Sequence, residues 1–434
     1  FEFEQGTREL LRNLSPGSGT ERMAELLERI ASGTKPRVNP YANEVNVQFL
    51  KSVSPPPGPV NALQYQAMLA YELLSLGQTK EALQGFNDVL SLFEKEGPFG
   101  PELGPGFRLH VEKLIAIGHL RLGEQENCIA NHNIDACLLP IRNSGIHDIK
   151  RGGRAAVQEF MAILNDNPED LGARWLLNIA YMTIGEYPDK VPPHLLVPPK
   201  AFESDYNIKR FYDVAGELEL DVVGLSGGSI MEDFDADGDL DIMCSSWGLR
   251  DQLRYFQNNA DGTFSERTKE AGLVGIVGGL NMVHADYDND GNPDVLVLRG
   301  AWLNEPWADG EGGRHPNSLL RNNGNGTFDD VTEEAGLLTF HPTQTAAWGD
   351  FDNDGWIDLF IGNESFRNES NACELFRNNG DGTFSEVAQR VGLAVVGTVK
   401  GVAWGDYDND GLADLYVSRM FEPNSLYRNQ GADI

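Results

Sequence analysis

Apolar positions along the chain keep two different rhythms. Between residues 61 and 200 they recur three and four residues apart. The clearest segments are ALQYQAMLAYELLSLGQTKEALQGFNDVLSLFEKEG (62–97), FRLHVEKLIAIGHLRLGEQENCI (107–129) and AAVQEFMAILNDNPEDLGARWLLNIAYMTIGEYPD (155–189). That spacing lines one face of an α-helix. The segments break at Gly77, at Gly123 and near Pro168, so they read as helices joined by short turns. Past residue 200 the apolar residues gather into short runs such as VLVL (295–298), LFIG (359–362) and LYVS (415–418), followed by Asn/Gly turns. Short runs at even spacing predict β-strands. Proline-rich breaks at 52–60 (SVSPPPGPV) and 191–202 (VPPHLLVPPKAF) interrupt the chain stiffly. The pattern therefore divides it into an N-terminal strand/helix extension with a Pro-rich linker (1–60), a helical repeat domain (61–200) and a β domain (201–434).

The helical unit is about 34 residues long, and Ala70, Ala82 and Ala180 are small enough to let helices approach closely. In this it resembles the tetratricopeptide repeat, although the copies are irregularly spaced and a long loop interrupts them. A generic helical bundle is the alternative. The resemblance implies a groove that presents itself to another polypeptide.

In the β half one nine-residue motif occurs four times: DFDADGDLD (233–241), DYDNDGNPD (286–294), DFDNDGWID (350–358) and DYDNDGLAD (406–414). Their starts lie 53, 64 and 56 residues apart. Asp occupies positions 1, 3, 5 and 9, Gly position 6, and an aromatic residue position 2 (Phe234, Tyr287, Phe351, Tyr407). Alternate carboxylates can turn toward one centre while Gly lets the chain double back. The ring at position 2 points away and anchors the loop in the core. The expected ligand sets are Asp233, Asp235, Asp237, Asp239 and Asp241; Asp286, Asp288, Asp290, Asn292 and Asp294; Asp350, Asp352, Asp354, Trp356 and Asp358; and Asp406, Asp408, Asp410, Leu412 and Asp414. In each set the seventh position supplies its backbone carbonyl. Two carboxylates about 5 Å apart repel by roughly 3 kcal/mol at an effective dielectric of 20. Four carboxylates make six such pairs, and a divalent cation converts the repulsion into attraction. Hard, all-oxygen donors favour Ca²⁺ over zinc or copper, so about four Ca²⁺ ions are expected.

Each loop is followed by an apolar run, an L-x-R-N or related segment, and an Asn/Gly turn; in the first three copies Gly-Thr-Phe comes next. A repeat of about 55 residues holding four short strands is a propeller blade. The D-[FY]-D-x-D-G-x-x-D loops, with Gly-Thr-Phe and Ala-Gly-Leu after them, resemble the FG-GAP/VCBS repeats. These occur in integrin α-subunit propellers and in secreted proteins similar to cartilage acidic protein. The resemblance covers about residues 205–434 and implies a β-propeller carrying structural Ca²⁺. Integrin propellers have seven blades, whereas four motifs imply either a closed four-bladed ring or an open arc. The expected fold class is therefore multidomain, α followed by all-β.

Strands that begin on Phe recur at Phe211, Phe264, Phe328 and Phe384, and segments of the L-x-R-N type begin near Arg254, Leu319, Leu375 and Leu426. Taking the Phe strand as the first of each unit leaves one outer strand missing beside residues 426–429. Residues 211–214 would fill that place and close a ring within one chain. Residues 1–7, where Phe1 and Phe3 alternate as in a strand, would link chains if a neighbour donated them. Phe1, Phe3, Phe211, Leu426 and Tyr427 are thus the candidate assembly residues.

A net charge of −32 disfavours nucleic acid and anionic membranes as partners, and no run of 18 or more apolar residues exists to span a bilayer. The chain opens on Phe1 with neither initiator Met nor signal peptide, as expected of a processed, exported protein. In that setting a Cys128–Cys137 disulfide is expected, against the alternative of a metal site with His132 and His147. Cys244 and Cys373 are expected to be free and buried. Asn13, Asn325, Asn363 and Asn368 stand in N-x-Ser/Thr sequons and are glycosylation candidates. No hydrolase, metalloprotease or nucleotide-binding motif is present, and no catalytic residue is assigned. Trp302 and Trp307, in the insertion AWLNEPWADGEGGRHP (301–316), are candidates for sugar stacking.

These features lead to a secreted, non-catalytic Ca²⁺-binding structural or adhesion protein. It would assemble with itself by strand donation, or contact another surface protein or glycan. A propeller-type carbohydrate-active enzyme and a monomeric receptor-like module are the alternatives.

Overall fold

A computed structural model describes residues 11, 14–34, 41–55, 57–96, 103, 106–129, 133, 135, 138–206, 211–302, 314–365 and 370–431. Helices α1 (Gly19–Gly33), α2 (Asn43–Ser52), α3 (Pro59–Ser75), α4 (Thr79–Glu96), α5 (Phe107–Glu124), α6 (Arg151–Asp166) and α7 (Leu171–Thr183) precede all the strands. Contacts divide the chain into two compact units, 42–212 and 1–41 joined with 213–434. The division expected at 60/61 and 200/201 is thereby shifted. Helix α2 belongs with the helices, and the segment before it belongs with the strands.

In the helical unit, α2 to α7 pack each against the next in chain order. Pro59 opens α3, where its missing N–H is not needed, and Asp170 caps α7 by accepting from the Ala173 N–H at 3.0 Å. Leu63, Phe86 and Val111 centre one core, and Phe160 and Leu177 centre the next. Ala70, Ala82 and Ala180 are buried at these contacts, as their size suggested.

The β unit carries four antiparallel sheets, each in chain order. The first comprises β1 (Ser229–Glu232), β2 (Asp241–Cys244), β3 (Arg254–Asn258) and β4 (Phe264–Glu266). The second comprises β5 (Asn281–Ala285), β6 (Asp294–Leu298), β7 (Ser318–Asn322) and β8 (Phe328–Asp330). The third comprises β9 (Thr343–Gly349), β10 (Asp358–Asn363), β11 (Glu374–Asn378) and β12 (Phe384–Glu386). The fourth comprises β13 (Thr398–Gly405), β14 (Asp414–Met420) and β15 (Ser425–Tyr427). Each Asp-rich loop joins the first and second strands of its sheet, and its ninth residue opens the second strand. The Phe strand is the fourth and outermost of its own sheet, not the first of the next. Residues 211–214 form no strand, and Phe211 is 95% exposed, so they do not close a ring. Residues 1–10 lie outside the described residues. Among the described residues the fourth sheet has three strands, with Leu426 and Tyr427 on its outer one.

Neighbouring sheets are joined by apolar clusters between the first and second, the second and third, and the third and fourth. Among the described residues no cluster joins the fourth to the first. The rings at loop position 2 record this. Phe234 packs on Phe328 of the next sheet at 5.5 Å, and Tyr287 packs on Phe384 at 5.6 Å. Phe234, Tyr287 and Phe351 are 1%, 2% and 7% exposed, whereas Tyr407 is 53% exposed. Tyr407 is the one with no following sheet over it among the described residues.

Helix α1 covers the junction of the first two sheets. Its Met23, Leu26 and Leu27, on one helical face, enter the cluster of Ile230, Met282 and Leu320. Gly19 meets β8 so closely that a Cβ there would stand 2.0 Å from the Asp330 carbonyl oxygen. The Asp330 N–H donates to Thr20 Oγ1 at 2.9 Å, and Arg22 pairs with Glu333 at 2.8 Å. Replacing the 1%-exposed Leu26 by Ala is expected to destabilise the β unit by about 2–5 kcal/mol. Denaturant unfolding followed by tryptophan emission measures this. Unchanged stability would mean that α1 is an appendage rather than part of the core.

Candidate metal centre

The Asp-rich loops hold their shape through carboxylates that accept backbone N–H groups. At position 1 one oxygen accepts from the N–H of position 5 and the other from position 6: Asp286 takes Asp290 at 3.0 Å and Gly291 at 2.9 Å. Asp233, Asp350 and Asp406 do the same. Position 5 accepts from position 7, so the N–H groups of Asp239, Asn292, Trp356 and Leu412 face inward. The chain makes this turn with positive φ at positions 4 and 6. Gly at position 6, near +90° in all four copies, meets that requirement without strain.

Position 9 is also a joint between the loop and the third-strand segment. Asp241, Asp294, Asp358 and Asp414 are all but fully buried. One oxygen of each accepts from the loop aromatic and the other from the Asn that ends the third-strand segment. For Asp294 these are Tyr287 N at 3.2 Å and Asn322 N at 2.8 Å; for Asp358 they are Phe351 N at 3.0 Å and Asn378 N at 2.9 Å.

One carboxylate oxygen from each of three Asp residues gathers within 4.8 Å in every loop. The triads are Asp233/Asp235/Asp237, Asp286/Asp288/Asp290, Asp350/Asp352/Asp358 and Asp406/Asp408/Asp414. In the first two loops, positions 1, 3 and 5 converge as the spacing predicts. In the last two, position 9 replaces position 5. Arg377 accounts for the change in the third loop, since it binds Asp352 at 2.5 Å and Asp354 at 2.6 Å. Arg428 does the same in the fourth, with Asp408 at 2.8 Å and Asp410 at 3.1 Å. The first loop has Gln257 at this place, and Arg321 of the second sheet pairs with Asp329 instead. Sequence reasoning missed this arginine, although the recurring Arg-Asn dipeptide was its signal.

The donor set fits a hard cation. One oxygen of Asp235 and one of Asp352, both at position 3, are buried without any hydrogen-bond partner among the described residues. A partnerless buried carboxylate oxygen is costly unless a cation meets it. Burial pushes the Asp294 carboxyl up to about 8 and the Asp358 carboxyl up to about 7, with the neighbouring Asp charges adding to the rise. Asp241 moves in the same direction, again chiefly through burial.

The other expected sites fare differently. Cys128 Sγ lies 3.4 Å from His147 Nε2, while His132 and Cys137 lie outside the described residues, and with them the disulfide. Cys373 is a buried thiol and Cys244 a half-buried one. Asn325 is exposed in its turn. Asn363 is fully buried, with its amide nitrogen donating to the Ala372 carbonyl and to Glu374, so it is not presented to a glycan. Asn13, Asn368 and Trp307 lie outside the described residues. One face of Trp302 carries the Lys400 ammonium 3.9 Å from the ring centre, so that face is not open for sugar stacking.

Residues 233–297, 307–361 and 350–417 match the family described as FG-GAP-like repeat. The chain is also similar to cartilage acidic protein 1. It is 29% identical to the Homo sapiens protein over 271 residues, covering 59% of this chain and 37% of that protein. The Mus musculus protein is 29% identical over 271 residues, covering 59% and 38%. The Xenopus tropicalis protein is 28% identical over 257 residues, covering 55% and 36%. The chain thus spans a little over a third of the length of these relatives.

The raised carboxyls set a pH dependence. A folded pKa above the unfolded value means that protonation stabilises the metal-free fold. That stability is fully present below about pH 4 and is lost as pH rises through about 7 to 8. In the third loop, where Asp358 belongs to the triad, a cation displaces its proton, so Ca²⁺ affinity there is expected to rise between about pH 6 and 8, by up to about tenfold per unit. Calorimetric titration in buffers of different ionisation enthalpy measures the release. Affinity independent of pH would reject the assignment.

Proposed function

We propose that this is a Ca²⁺-stabilised, non-catalytic structural or adhesion protein that works outside the cell. The observation that carries the reading is the fourfold recurrence of a converging Asp triad in one type of loop. The loops join consecutive strands of every sheet, so a cation bound there ties the two strands of a blade together. Buried, partnerless oxygens in two loops and the two arginines backing the third and fourth show how heavily the bare carboxylates load the fold. Similarity to proteins named for cartilage and acidity supports an extracellular setting, where modules of this kind bind Ca²⁺ at about 10⁻⁴ to 10⁻³ M. No helix among the described residues is long and apolar enough to cross a membrane.

Removing divalent cations is expected to lower the melting temperature of the β unit while leaving the helical unit's transition in place. Calorimetry with and without chelator measures this. Equal melting curves would sink the Ca²⁺ reading. Replacing Asp286 and Asp288 together by Asn is expected to reduce the shift by removing one of the four sites.

The partner contact in this proposal is edge-strand pairing on β15. A cavity of about 840 Å³ beside it is floored by Phe351, Val391, Leu393 and Trp404. In the second and third sheets a Phe of the outer strand packs against the preceding loop aromatic, as Phe328 does on Phe234 and Phe384 on Tyr287. A strand of the Gly-Thr-Phe type from a second copy of the chain is the proposed occupant. The peptide RNNGDGTFSEV (377–387) is expected to bind the full chain and to dissolve concentration-dependent assemblies seen by light scattering. A constant monomer mass together with no peptide binding would overturn this contact.

A further inference from the structure

The turns on the outer side of the sheets carry a chemistry of their own. Three Asn-Gly bonds occur in the chain: Asn323-Gly324, Asn325-Gly326 and Asn379-Gly380. They lie in the turns between β7 and β8 and between β11 and β12, and all three asparagines are exposed. Glycine leaves its own backbone nitrogen unshielded, so this dipeptide is prone to lose the asparagine amide. The reaction needs that nitrogen as nucleophile and the side-chain amide nitrogen as leaving group.

The three bonds differ in both respects. The Gly324 N–H donates to Asn322 Oδ1 at 2.9 Å, and the Gly380 N–H donates to Asn378 Oδ1 at 3.0 Å. Among the described residues the Gly326 N–H meets no acceptor. Asn323 Nδ2 donates to Thr327 Oγ1 at 3.1 Å and to Asp329 at 3.2 Å, and Asn379 Nδ2 donates to Thr383 Oγ1 at 3.0 Å. Asn325 is bonded through its oxygen instead. Its Oδ1 accepts from the Thr327 N–H at 3.1 Å and from Thr327 Oγ1 at 2.6 Å. Negative charge develops on that oxygen when a nitrogen attacks the adjoining carbon, so both donors lower the barrier. Thr327 Oγ1 in turn accepts from Asn323, which strengthens its own donation.

The first and third sheets show that the turn accepts a carboxylate at this place. Asp261 and Asp381 stand where Asn325 does. Asp261 accepts from the Thr263 N–H at 3.0 Å and hydroxyl at 2.6 Å, and Asp381 accepts from the Thr383 N–H at 3.1 Å and hydroxyl at 2.6 Å. The threonine bonds hold both carboxyls below the ordinary range. They are therefore ionised, and an ionised carboxylate resists attack by the following Gly nitrogen.

We infer that Asn325 is a self-modifying site, where the chain turns an amide into a carboxylate with water as the only co-reactant. The Gly326 nitrogen gives up its proton to solvent and bonds to the Asn325 side-chain carbon. The bond from that carbon to Nδ2 breaks, and Nδ2 takes up a proton and leaves as ammonia. Water then opens the five-membered imide at one of its two carbonyls. One opening yields Asp at 325, and the other yields isoaspartate, with the main chain routed through the former side chain. Gly326 lies against the first Asp loop, where a Cβ on it would stand 3.6 Å from Asp235 Cβ. The new charge thus arises beside a candidate metal centre.

The test is to age the full chain, made without glycan, at mildly alkaline pH and to follow its peptides by mass spectrometry and enzymatic isoaspartate detection. Asn325 is expected to lose its amide about tenfold faster than Asn323 or Asn379, which must first give up hydrogen bonds. In denaturant the three are expected to react at similar rates, which separates the effect of the fold from that of the dipeptide. Equal rates in the folded chain, or an amide retained at Asn325, would overturn the inference. Thr327→Val removes one donor to Oδ1 and is expected to slow the loss about fivefold, whereas Thr327→Ser keeps the donor and the rate. A valine variant as fast as the parent would reject the polarised amide.

Discussion

The β unit depends on one buried carboxylate in each blade. Asp241, Asp294, Asp358 and Asp414 hold together the Asp-rich loop and the third-strand segment by accepting one N–H from each. Because the carboxylate is stripped of water, those hydrogen bonds are strong, and losing either partner would leave a buried acceptor unmet. The loop can therefore crowd further Asp side chains around a point in space. Without this joint, mutual repulsion would splay the loop outward.

The same asparagines carry the arrangement from blade to blade. Asn322, Asn378 and Asn429 each donate a side-chain N–H to the carbonyl of the loop aromatic in the preceding blade: Phe234, Tyr287 and Phe351 respectively. Loop, strand and neighbouring blade thus meet at one Arg-Asn dipeptide. Its Arg reaches the carboxylates of its own loop in the third and fourth blades, while its Asn fastens that blade to the one before. Charge at the loops and packing between blades are consequently linked by adjacent residues.

Much of this was legible in the sequence, for identifiable reasons. A nine-residue motif with four carboxylates and a glycine has few other solutions, so the loops, the strands after them and the Ca²⁺-type donor set were clear. The phase of the repeat was not. A cyclic pattern of four strands can be cut at any point, and cutting before the Phe strand assigned β4, β8 and β12 to the wrong blades. It also made residues 211–214 look like a strand, since FYDV imitates the real ones without having an edge to pair with. The apolar face of α1 was visible in Met23, Leu26, Leu27 and Ala31, but periodicity says nothing about what a face will cover. Nor could spacing show that Arg377 and Arg428 would draw position 5 out of the triad, because that competition arises only once β11 and β15 lie beside the loops.

The place of α1 has a consequence for synthesis. Its apolar face emerges roughly 300 residues before β8, so at ribosomal rates of about 5–20 residues per second it waits about 15–60 s for its covering sheets. During that interval the whole helical unit is made, and it can fold by itself from contacts between successive helices. The β unit is thus completed from segments on both sides of the helical unit. Helix α1 is thereby left as a part exposed to chaperones and to mispairing on a crowded ribosome.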